Sequence, residues 1–330
     1  MAGNTNLNKA KKAKSDEFYT SIKSIEDELK HYTKHFKNQV VYCNCDDPEW
    51  SNFFRYFYQN FSKLKLKKVI CSFYNPGTGV NLSTEKPYIS IVEPDENGKL
   101  EYIKISLNGD GDFSSDECKY LLLQSNIVCT NPPFSLFRKY VAQLMKYEKK
   151  FLIIGNVNAI TYKEIFPLIK NNKIWAGFSF NKTMEFIMPD SYELKGKAFI
   201  DDEGKKHGFV PGICWFTNLD IKKRNENLIL WKTYTPEEFP KYDNYDAINV
   251  DKVANIPCDY YEAMGVPITF LDKFNPDQFE IIGLSEDGGK GLSNGLRHEN
   301  SKVSHPLIRG VRTYRRLFIC RVVSDNGVMH

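Results

Sequence analysis

An Asn-Pro-Pro-Phe stretch follows a short apolar run in the sequence IVCTNPPFSLF, which spans residues 127–137. The Asn131 side chain carries a strong acceptor oxygen. Pro132 and Pro133 restrict the backbone and have no N–H group that could compete for this oxygen. An amine placed against this stretch can donate one hydrogen to the Asn131 oxygen and the other to the Pro132 carbonyl. Phe134 offers a ring on which a planar base can stack. The residues therefore predict a site for the exocyclic amine of a base.

An aromatic amine such as adenine N6 is a poor nucleophile, because its lone pair is delocalised into the ring. Holding both hydrogens favours a pyramidal nitrogen and frees the lone pair for direct attack on an electrophilic methyl group, with no cysteine nucleophile. A base inside a duplex cannot reach such a site unless it is first flipped out of the stack.

Buried strands and amphipathic helices alternate along the first 219 residues, which favours a doubly wound, mostly parallel α/β sheet. The predicted strands are 39–42, 68–71, 127–129, 151–154 and 212–217, with a hairpin formed by 88–92 and 100–106. An amphipathic helix follows the Asn-Pro-Pro-Phe stretch, with Ser135 placed to cap it.

Three polar corners follow predicted strands: a first corner, CNCDDPEW (43–50), a second corner, GDGDF (109–113), and a third corner, NPPF (131–134). Ligands of such sheets bind at the carboxyl ends of the strands, so we expect the three corners to converge on one edge.

The pattern changes at Asp220, after which Lys, Asn, Tyr, Asp and Pro are frequent and helical periodicity is weak. The predicted organisation is a basic N-terminal arm at 1–14, a catalytic domain at 15–219 and a smaller irregular region at 220–330.

Net charge is only +4 over 330 residues, but basic residues cluster near both ends. Lys11, Lys12 and Lys14 precede the first acid, and seven Lys or Arg lie between Arg297 and Arg321 against the single acid Glu299. Such clusters are typical of phosphate contacts.

No signal peptide or membrane-spanning run is evident, which predicts a cytoplasmic protein without a membrane partner. The eight cysteines lack zinc-ligand spacing, so we expect reduced thiols and no metal.

Seven segments between Ser15 and Gly283 together resemble the EcoRI-type adenine-specific DNA methyltransferase family. They are VYCNCDDPEWSNFFRYF, LNGDGDF, NIVCTNPPFSLF, KKFLIIGNVNAITYKEIFPLIK, ICWFTNL, YDNYDAINV and MGVPITFLDKFNPDQFEIIG. The resemblance implies the S-adenosylmethionine-dependent methyltransferase fold, S-adenosyl-L-methionine as cofactor and double-stranded DNA as substrate. It further implies N6-methyladenine as product and a role as the modification enzyme of a restriction–modification system.

The resemblance also implies roles for individual residues. Phe18, Tyr19 and Thr20 match the motif that lies against the cofactor's methionine, and Cys45, Asp46, Asp47 and Pro48 replace the usual glycine-rich turn. Asp112 and Phe113 match the pair near the cofactor's adenine, while Trp215 or Phe216 corresponds to a second stacking face for the flipped base. No acid follows the second strand, so the ribose ligand stays open, with Asp46 and Asp47 as candidates.

The order of the motifs implies that target recognition is C-terminal. Phosphate contacts are the larger class of protein–DNA contact, and we assign them to basic residues in the arm and the C-terminal region: Lys11, Lys12, Lys14, Lys222, Lys223, Arg224, Arg309, Arg312, Arg315 and Arg316. The resemblance suggests a palindromic target with central AATT, as in GAATTC. Because one enzyme can methylate the two strands of a palindrome in turn, we expect a monomer. A cognate restriction endonuclease would belong to the same system without direct contact.

Other functions stay open on the residues alone. Cytosine N4 methylation usually shows Ser before Pro-Pro, and cytosine C5 chemistry needs a Pro-Cys nucleophile, which Pro257-Cys258 supplies only far downstream. The same corner can serve an RNA amine or a protein amide. A nuclease is disfavoured because Glu101 and Lys104 are three residues apart and do not share a strand face. A non-catalytic DNA-binding protein is the remaining alternative.

Overall fold

The computed structural model describes residues 19–75, 86–285 and 291–322. Two sets of predicted site residues lie outside these ranges: Phe18, and the lysines of the basic arm at 1–14, which are Lys11, Lys12 and Lys14. The chain divides into a larger compact unit, which ends at Val157 and resumes over Lys182–Leu219, and a smaller unit formed by Asn158–Asn181 and the chain from Asp220 onward. Residues 158–181, predicted as part of the catalytic domain, thus belong to the smaller unit.

The larger unit contains six helices and most of the strands among the described residues. Its helices are α1 (Ile22–Leu29), α2 (Thr33–Phe36), α3 (Asn52–Gln59), α4 (Phe61–Leu64), α5 (Asp116–Gln124) and α6 (Phe137–Lys146). Its strands are β1 (Tyr19–Thr20), β2 (Val40–Cys43), β3 (Lys68–Ser72), β4 (Tyr88–Pro94), β5 (Leu100–Ser106), β6 (Ile127–Thr130), β7 (Lys150–Asn156), β9 (Met184–Met188), β10 (Phe199–Ile200), β11 (Lys206–Val210) and β12 (Ile213–Thr217).

The smaller unit contains one helix and short strands among its described residues. These are α7 (Phe166–Lys170), β8 (Trp175–Ala176), β13 (Ile248–Asn249), β14 (Met264–Pro267), β15 (Phe279–Leu284), β16 (Leu307–Ile308), β17 (Val311–Arg312) and β18 (Arg316–Arg321). The strands β13, β14, β18 and β15 form a sheet in that order, and β16 pairs with β17 as a hairpin. The region from Asp220, predicted as irregular, therefore contains a four-stranded sheet.

Seven strands of the larger unit lie in one sheet, in the order β5, β4, β3, β2, β6, β7 and β12. The four central strands, β3, β2, β6 and β7, are parallel to their neighbours within that group. The strands β4, β5 and β12 are antiparallel to theirs. The α/β class is confirmed, but the sheet is mixed rather than mostly parallel, because the hairpin β4–β5 and the strand β12 extend a parallel centre.

A second sheet of the larger unit consists of β1, β9, β11 and β10, all antiparallel. Thr20 of β1 pairs with Phe186 of β9. The short segment Tyr19–Thr20 thereby gains a fixed position in the larger unit.

Serine side chains cap three of the helices in the way the sequence favours. Ser21, Ser51 and Ser115 each accept a hydrogen bond from the backbone N–H three residues later, at the starts of α1, α3 and α5. The prediction that Ser135 caps the helix after the third corner is wrong. A single 3₁₀ turn, Phe134–Leu136, comes first, and α6 begins at Phe137 without a side-chain cap.

No helix within the described ranges is long and apolar enough to cross a membrane. The same residues hold no group of three or more His, Cys, Asp or Glu side chains arranged to bind a metal ion.

Candidate active site

The first and third corners follow neighbouring parallel strands. Val41 of β2 pairs with Ile127 of β6, and Tyr42 pairs with Val128. The strand that follows β2, β3, lies on one side of this pair, and β7, which follows β6, lies on the other side. The chain therefore reverses its direction of winding between β2 and β6. In open α/β sheets, the crevice at this switch point is where ligands bind.

Asp46 of the first corner connects it directly to the third. Its Oδ2 accepts a hydrogen bond of 2.6 Å from the Thr130 hydroxyl, at the end of β6. The backbone N–H of Asn131 and the Ser51 side chain also donate to this carboxylate. Burial and the Asp47 carboxylate raise the pKa of Asp46, the donated hydrogen bonds lower it, and the balance leaves the pKa at about 6.

The third corner is held in an open turn. Pro132 is buried, Pro133 is exposed, and Asn131 and Phe134 are half-buried. The Leu136 N–H donates to the Pro133 carbonyl at 3.0 Å, which closes the 3₁₀ turn. Within the described ranges, no donor bonds to the Pro132 carbonyl. That carbonyl can therefore accept a hydrogen from a substrate amine.

Asn44, which belongs to the first corner and follows β2 directly, is buried. Its Oδ1 accepts a hydrogen bond from the hydroxyl of Tyr140 on α6. Its Nδ2 is buried and has no hydrogen-bond partner among the residues that the structure describes. A buried amide donor without a protein partner costs free energy, so this atom fits a polar ligand.

Thr20 presents a second buried polar atom. Its Oγ1 has no partner within the described part of the chain. The Thr20 carbonyl accepts from the Asn52 side chain at 2.8 Å, which fixes β1 at the start of α3, two residues beyond the first corner. Two partnerless polar groups, one from β1 and one from the end of β2, suit a cofactor with its own donors and acceptors.

The second corner lies beside the end of β3, because the Asn75 N–H donates to the Asp110 carbonyl at 2.9 Å. Asp112 uses its Oδ1 to accept from the backbone N–H of Ser114 and from the Ser114 hydroxyl. Its Oδ2 has no partner in the described residues, so this carboxylate can accept from an exocyclic amine. Phe113 is buried edge-on against Tyr140, with ring centroids 5.0 Å apart, and is therefore a core residue.

Asp47 and Pro48 shape the first corner. The Asp47 carboxylate accepts from the Glu49 N–H at 3.0 Å and from the Tyr88 hydroxyl at 3.3 Å. Its carbonyl accepts from the Ser51 N–H at 2.7 Å, which leads the chain into α3. Pro48 is buried and Cys45 is half-buried. Asp47 thus has a structural role of its own in this turn.

Trp215 and Phe216 lie in the core of the larger unit and not on its surface. Each is 1% exposed. Trp215 packs edge-on against Phe53, and Phe216 packs against Phe137, with ring centroids 5.8 Å and 5.1 Å apart. Rings packed in this way offer no face to a base. Their burial argues against the predicted second stacking role.

Three of the basic residues predicted to contact DNA are engaged inside the smaller unit. Arg316 is 5% exposed and pairs with Asp251 at 3.0 Å, and Lys223 pairs with Asp272 and donates to the Phe178 carbonyl. The Arg224 guanidinium lies over the Trp175 ring, 4.3 Å from its centroid, and burial lowers its pKa to about 10. These contacts argue against a phosphate role for the three.

The remaining predicted DNA-contacting residues of the smaller unit are at its surface. Lys222, Arg309 and Arg312 are exposed, and Arg315 is half-buried. The three exposed side chains can contact a polyanion.

Sequence patterns did not identify Asn44, Thr130 or Tyr140 as parts of the site. Asn44 and Thr130 are the residues at the ends of adjacent buried strands, so the switch point itself is the signal that could have found them. Tyr140 lies on the buried face of α6 and reads as an ordinary core aromatic; only the tertiary structure reveals its bond to Asn44.

Comparison with known proteins identifies the family. The family model described as "Adenine-specific methyltransferase EcoRI" matches residues 6–322. The chain is 52% identical over 291 residues to the type II methyltransferase M.EcoRI of Escherichia coli, covering 85% of this chain and 89% of that protein. It is 43% identical over 315 residues to the type II methyltransferase M.MgeORF184P of Mycoplasma genitalium, covering 94% and 96%.

A third relative, the type II methyltransferase M.MpnI of Mycoplasma pneumoniae, is 39% identical over 319 residues, covering 94% of this chain and 95% of that protein. No solved structure matches the chain significantly. The matches extend over both compact units and over all three corners. The chain therefore belongs to the EcoRI family of adenine-specific DNA methyltransferases.

Proposed function

We propose that this methyltransferase transfers a methyl group from S-adenosyl-L-methionine to N6 of an adenine flipped out of duplex DNA. The observation that carries the proposal is the Asp46 carboxylate, which joins the first corner to the third across the switch point through Thr130 and the Asn131 N–H. Hydrogen bonds to Asp46 thus connect the first corner, which we propose holds the cofactor, with the third corner, which we propose holds the amine.

Residues around the first and second corners would hold the cofactor. Thr20 Oγ1 and Asn44 Nδ2 are buried polar atoms that need partners, and Asp112 Oδ2 can accept from the cofactor's adenine amine. Asp46 and Asp47 remain the candidates for the ribose hydroxyls, and Tyr19, Cys45 and Pro48 are further candidates for contact with the cofactor. When bound, S-adenosyl-L-methionine supplies an electrophilic methyl group attached to a sulfonium.

The third corner performs the orientation step. The Asn131 side-chain oxygen and the Pro132 carbonyl each accept one hydrogen of the N6 amine, and Pro133 keeps the backbone of the turn fixed. Phe134 stacks on the flipped base. The lone pair freed in this way would form the new bond to the methyl carbon as the bond between that carbon and the sulfonium sulfur breaks, and neutral S-adenosyl-L-homocysteine would leave. The nitrogen, then positively charged, would release one of its hydrogens to solvent as a proton.

The smaller unit would supply contacts with the DNA. We assign target recognition to the region 220–330, with Lys222, Arg309, Arg312 and Arg315 as surface contacts and the N-terminal lysines Lys11, Lys12 and Lys14 as a further set. The proposed target is a palindrome with central AATT, as in GAATTC. A cytoplasmic monomer would methylate the two strands in separate events, and a cognate restriction endonuclease would act on the same sequence without direct contact.

The test is methyl transfer from labelled S-adenosyl-L-methionine to unmethylated genomic DNA, followed by nucleoside analysis. Wild type should yield N6-methyladenine, and Asn131→Ala should lose at least about 100-fold in rate, equivalent to about 3 kcal/mol of transition-state stabilisation. Asn97→Ala, in the exposed turn between β4 and β5, is the matched control and should keep full activity.

A methylated cytosine in place of methylated adenine would contradict the assigned acceptor. Label found only in RNA or protein would contradict DNA as the substrate. If Asn131→Ala retained wild-type rate, the third corner would be an ordinary turn and the proposed mechanism would be wrong.

A further inference from the structure

The hairpin of β16 and β17 in the smaller unit has a tight and strongly determined turn. Leu307 pairs with Arg312 and Ile308 with Val311, which leaves Arg309 and Gly310 as a two-residue loop. Both loop residues have positive φ, +50° and +75°, as the hairpin turn matching the natural strand twist requires. Such a turn restricts the backbone and therefore the orientation of the adjacent side chains.

Hydrogen bonds from outside the hairpin fix its position, and they involve three consecutive residues, Asp243, Asn244 and Tyr245. The Asp243 carboxylate accepts from the N–H groups of both loop residues, at 3.2 Å from Arg309 and 2.7 Å from Gly310. Asn244 is buried, and its Oδ1 accepts from the Leu307 N–H at 2.9 Å.

The segment leading into the hairpin is fixed by the same residues. The Asn244 amide donates to the carbonyls of Val303 and His305, both at 3.0 Å. The Tyr245 hydroxyl donates to the Ser304 carbonyl at 2.6 Å. Ile308 also packs on the buried cluster of Tyr242, Tyr245, Ala247 and Phe318. Several independent bonds thus keep the hairpin rigid before any partner binds.

The surface that this support presents is basic, aromatic and apolar. Tyr314 is 86% exposed and Val311 is 68% exposed, beside exposed Arg309 and Arg312. In the described ranges, neither guanidinium has an ion-pair partner, whereas Arg316, only four residues after Arg312, is buried and paired with Asp251. These side chains contribute little to folding, so the rigid support points to a partner.

We propose that the hairpin 307–312, together with Tyr314, enters the major groove of duplex DNA and reads bases of the target sequence. The inference rests on the proposed function as a sequence-specific DNA methyltransferase. A two-stranded ribbon fits the major groove, where an arginine can bond both acceptors on a guanine edge. The charge fits this partner, because the hairpin 307–312 carries exposed Arg309 and Arg312 and no acid. The charge of Asp243 is directed at the two loop N–H groups.

The experiment is methylation of a pool of duplexes with a randomised centre, followed by sequencing of N6-methyladenine positions. Wild type, Arg309→Ala and Arg312→Ala are compared with Lys99→Ala, which removes the same charge from the exposed β4–β5 turn. We expect the wild-type and Lys99→Ala motifs to be identical. At least one arginine variant should lose roughly 10-fold to 100-fold in base preference at a specific position of the motif.

A second variant guards against effects of charge alone. Asp243→Ala leaves both arginines in place but removes the acceptor that holds the loop, and it should relax the same motif position while thermal unfolding confirms a folded protein. An unchanged motif in both arginine variants, with active wild type, would overturn this inference alone.

A loss of rate that is uniform over all sequences and shrinks with added salt would show a phosphate contact and would also overturn base reading. If wild type methylates no duplex in the pool, the proposed function fails, and that outcome is distinct from both of the others.

Discussion

A single carboxylate, that of Asp46, joins the first and third corners of the larger unit. As an anion it accepts hydrogen bonds from Thr130, from the Asn131 N–H and from Ser51, so the charged form orders the backbone from which the Asn131 side chain projects. Burial opposes the same charge and raises the pKa of Asp46 to about 6. The proton equilibrium of this residue therefore lies close to neutral pH, where it can influence the third corner.

We predict that the rate of methyl transfer falls as the pH decreases through about 6. Protonation of Asp46 removes an acceptor from the donors that fix the third corner, so Asn131 is less well oriented. The measurement is the single-turnover rate between pH 5 and pH 8 for wild type and Asp46→Asn. The variant should be slower at pH 8 and should lack the inflection near pH 6. An inflection that persists in Asp46→Asn would assign it to another group.

The stability of the fold should show the opposite dependence. The folded pKa of Asp46 is raised above its ordinary value of 3.8, so the folded state holds the proton more tightly than the unfolded state. The proton bound to Asp46 therefore stabilises the fold fully below about pH 4, and this stabilisation is lost as the pH rises through about 6.

The free energy of unfolding of Asp46→Asn minus that of wild type should accordingly increase between pH 4.5 and pH 7. Allowing for the partial exposure of the side chain, the increase should be on the order of 1–2 kcal/mol. Denaturant titrations at several pH values measure it, and a difference that is constant with pH would contradict the raised pKa.

At the scale of elements, the second corner depends on a close approach between two backbone segments. Gly111 has φ of +78°, and a Cβ atom placed on it would lie 2.2 Å from the carbonyl oxygen of Phe73. Only glycine can occupy this position without moving the backbone after β3. The approach places Asp112 beside the end of that strand.

We predict that Gly111→Ala displaces the second corner and weakens binding of S-adenosyl-L-methionine by at least about 10-fold, because Asp112 is carried with it. Its cost in stability should exceed about 2 kcal/mol, the sum of an unfavourable φ and a backbone clash. Gly98→Ala is the matched control, since Gly98 has φ of +80° with nothing within 4 Å of the added Cβ. Equilibrium binding and denaturant unfolding of both variants test this, and equal effects would show that the close approach contributes nothing.

The elements that could be predicted from sequence are those whose burial is uniform along the chain. The strands β2, β3, β6 and β7 are parallel and covered on both faces, so they read as continuous apolar runs. The hairpin β4–β5, predicted at 88–92 and 100–106, is confirmed. The corners that follow these strands could be predicted for the same reason, because strand ends define them.

Features that depend on distant partners could not be predicted. Whether Arg316 is a surface cation or a buried one depends on Asp251, which is 65 residues away. Ser135 lies inside the 3₁₀ turn Phe134–Leu136, so Leu136 and not Ser135 occupies the cap position of α6. The strands β13, β16 and β17 have two residues each, too few for any periodicity to show.

At the scale of the whole molecule, a net charge of +4 is too small to attract DNA uniformly. Affinity must then come from particular exposed cations, and each cation that neutralises a phosphate adds to the salt dependence of binding. Burial divides the basic residues after Leu219 into two groups. Lys222 is exposed, whereas the adjacent Lys223 is held by Asp272 and by the Phe178 carbonyl. Neighbours in sequence should therefore behave differently.

We predict that Lys222→Ala lowers the slope of log affinity against log salt by about 1 and leaves stability unchanged. Lys223→Ala should leave the slope unchanged but lower the free energy of unfolding by about 2–3 kcal/mol, because Asp272 loses its main partner in a partly buried site. Fluorescence anisotropy with a labelled GAATTC duplex at several salt concentrations, together with denaturant unfolding, separates the two effects. A reduced slope for Lys223→Ala with unchanged stability would mean that the lysine leaves Asp272 to bind DNA.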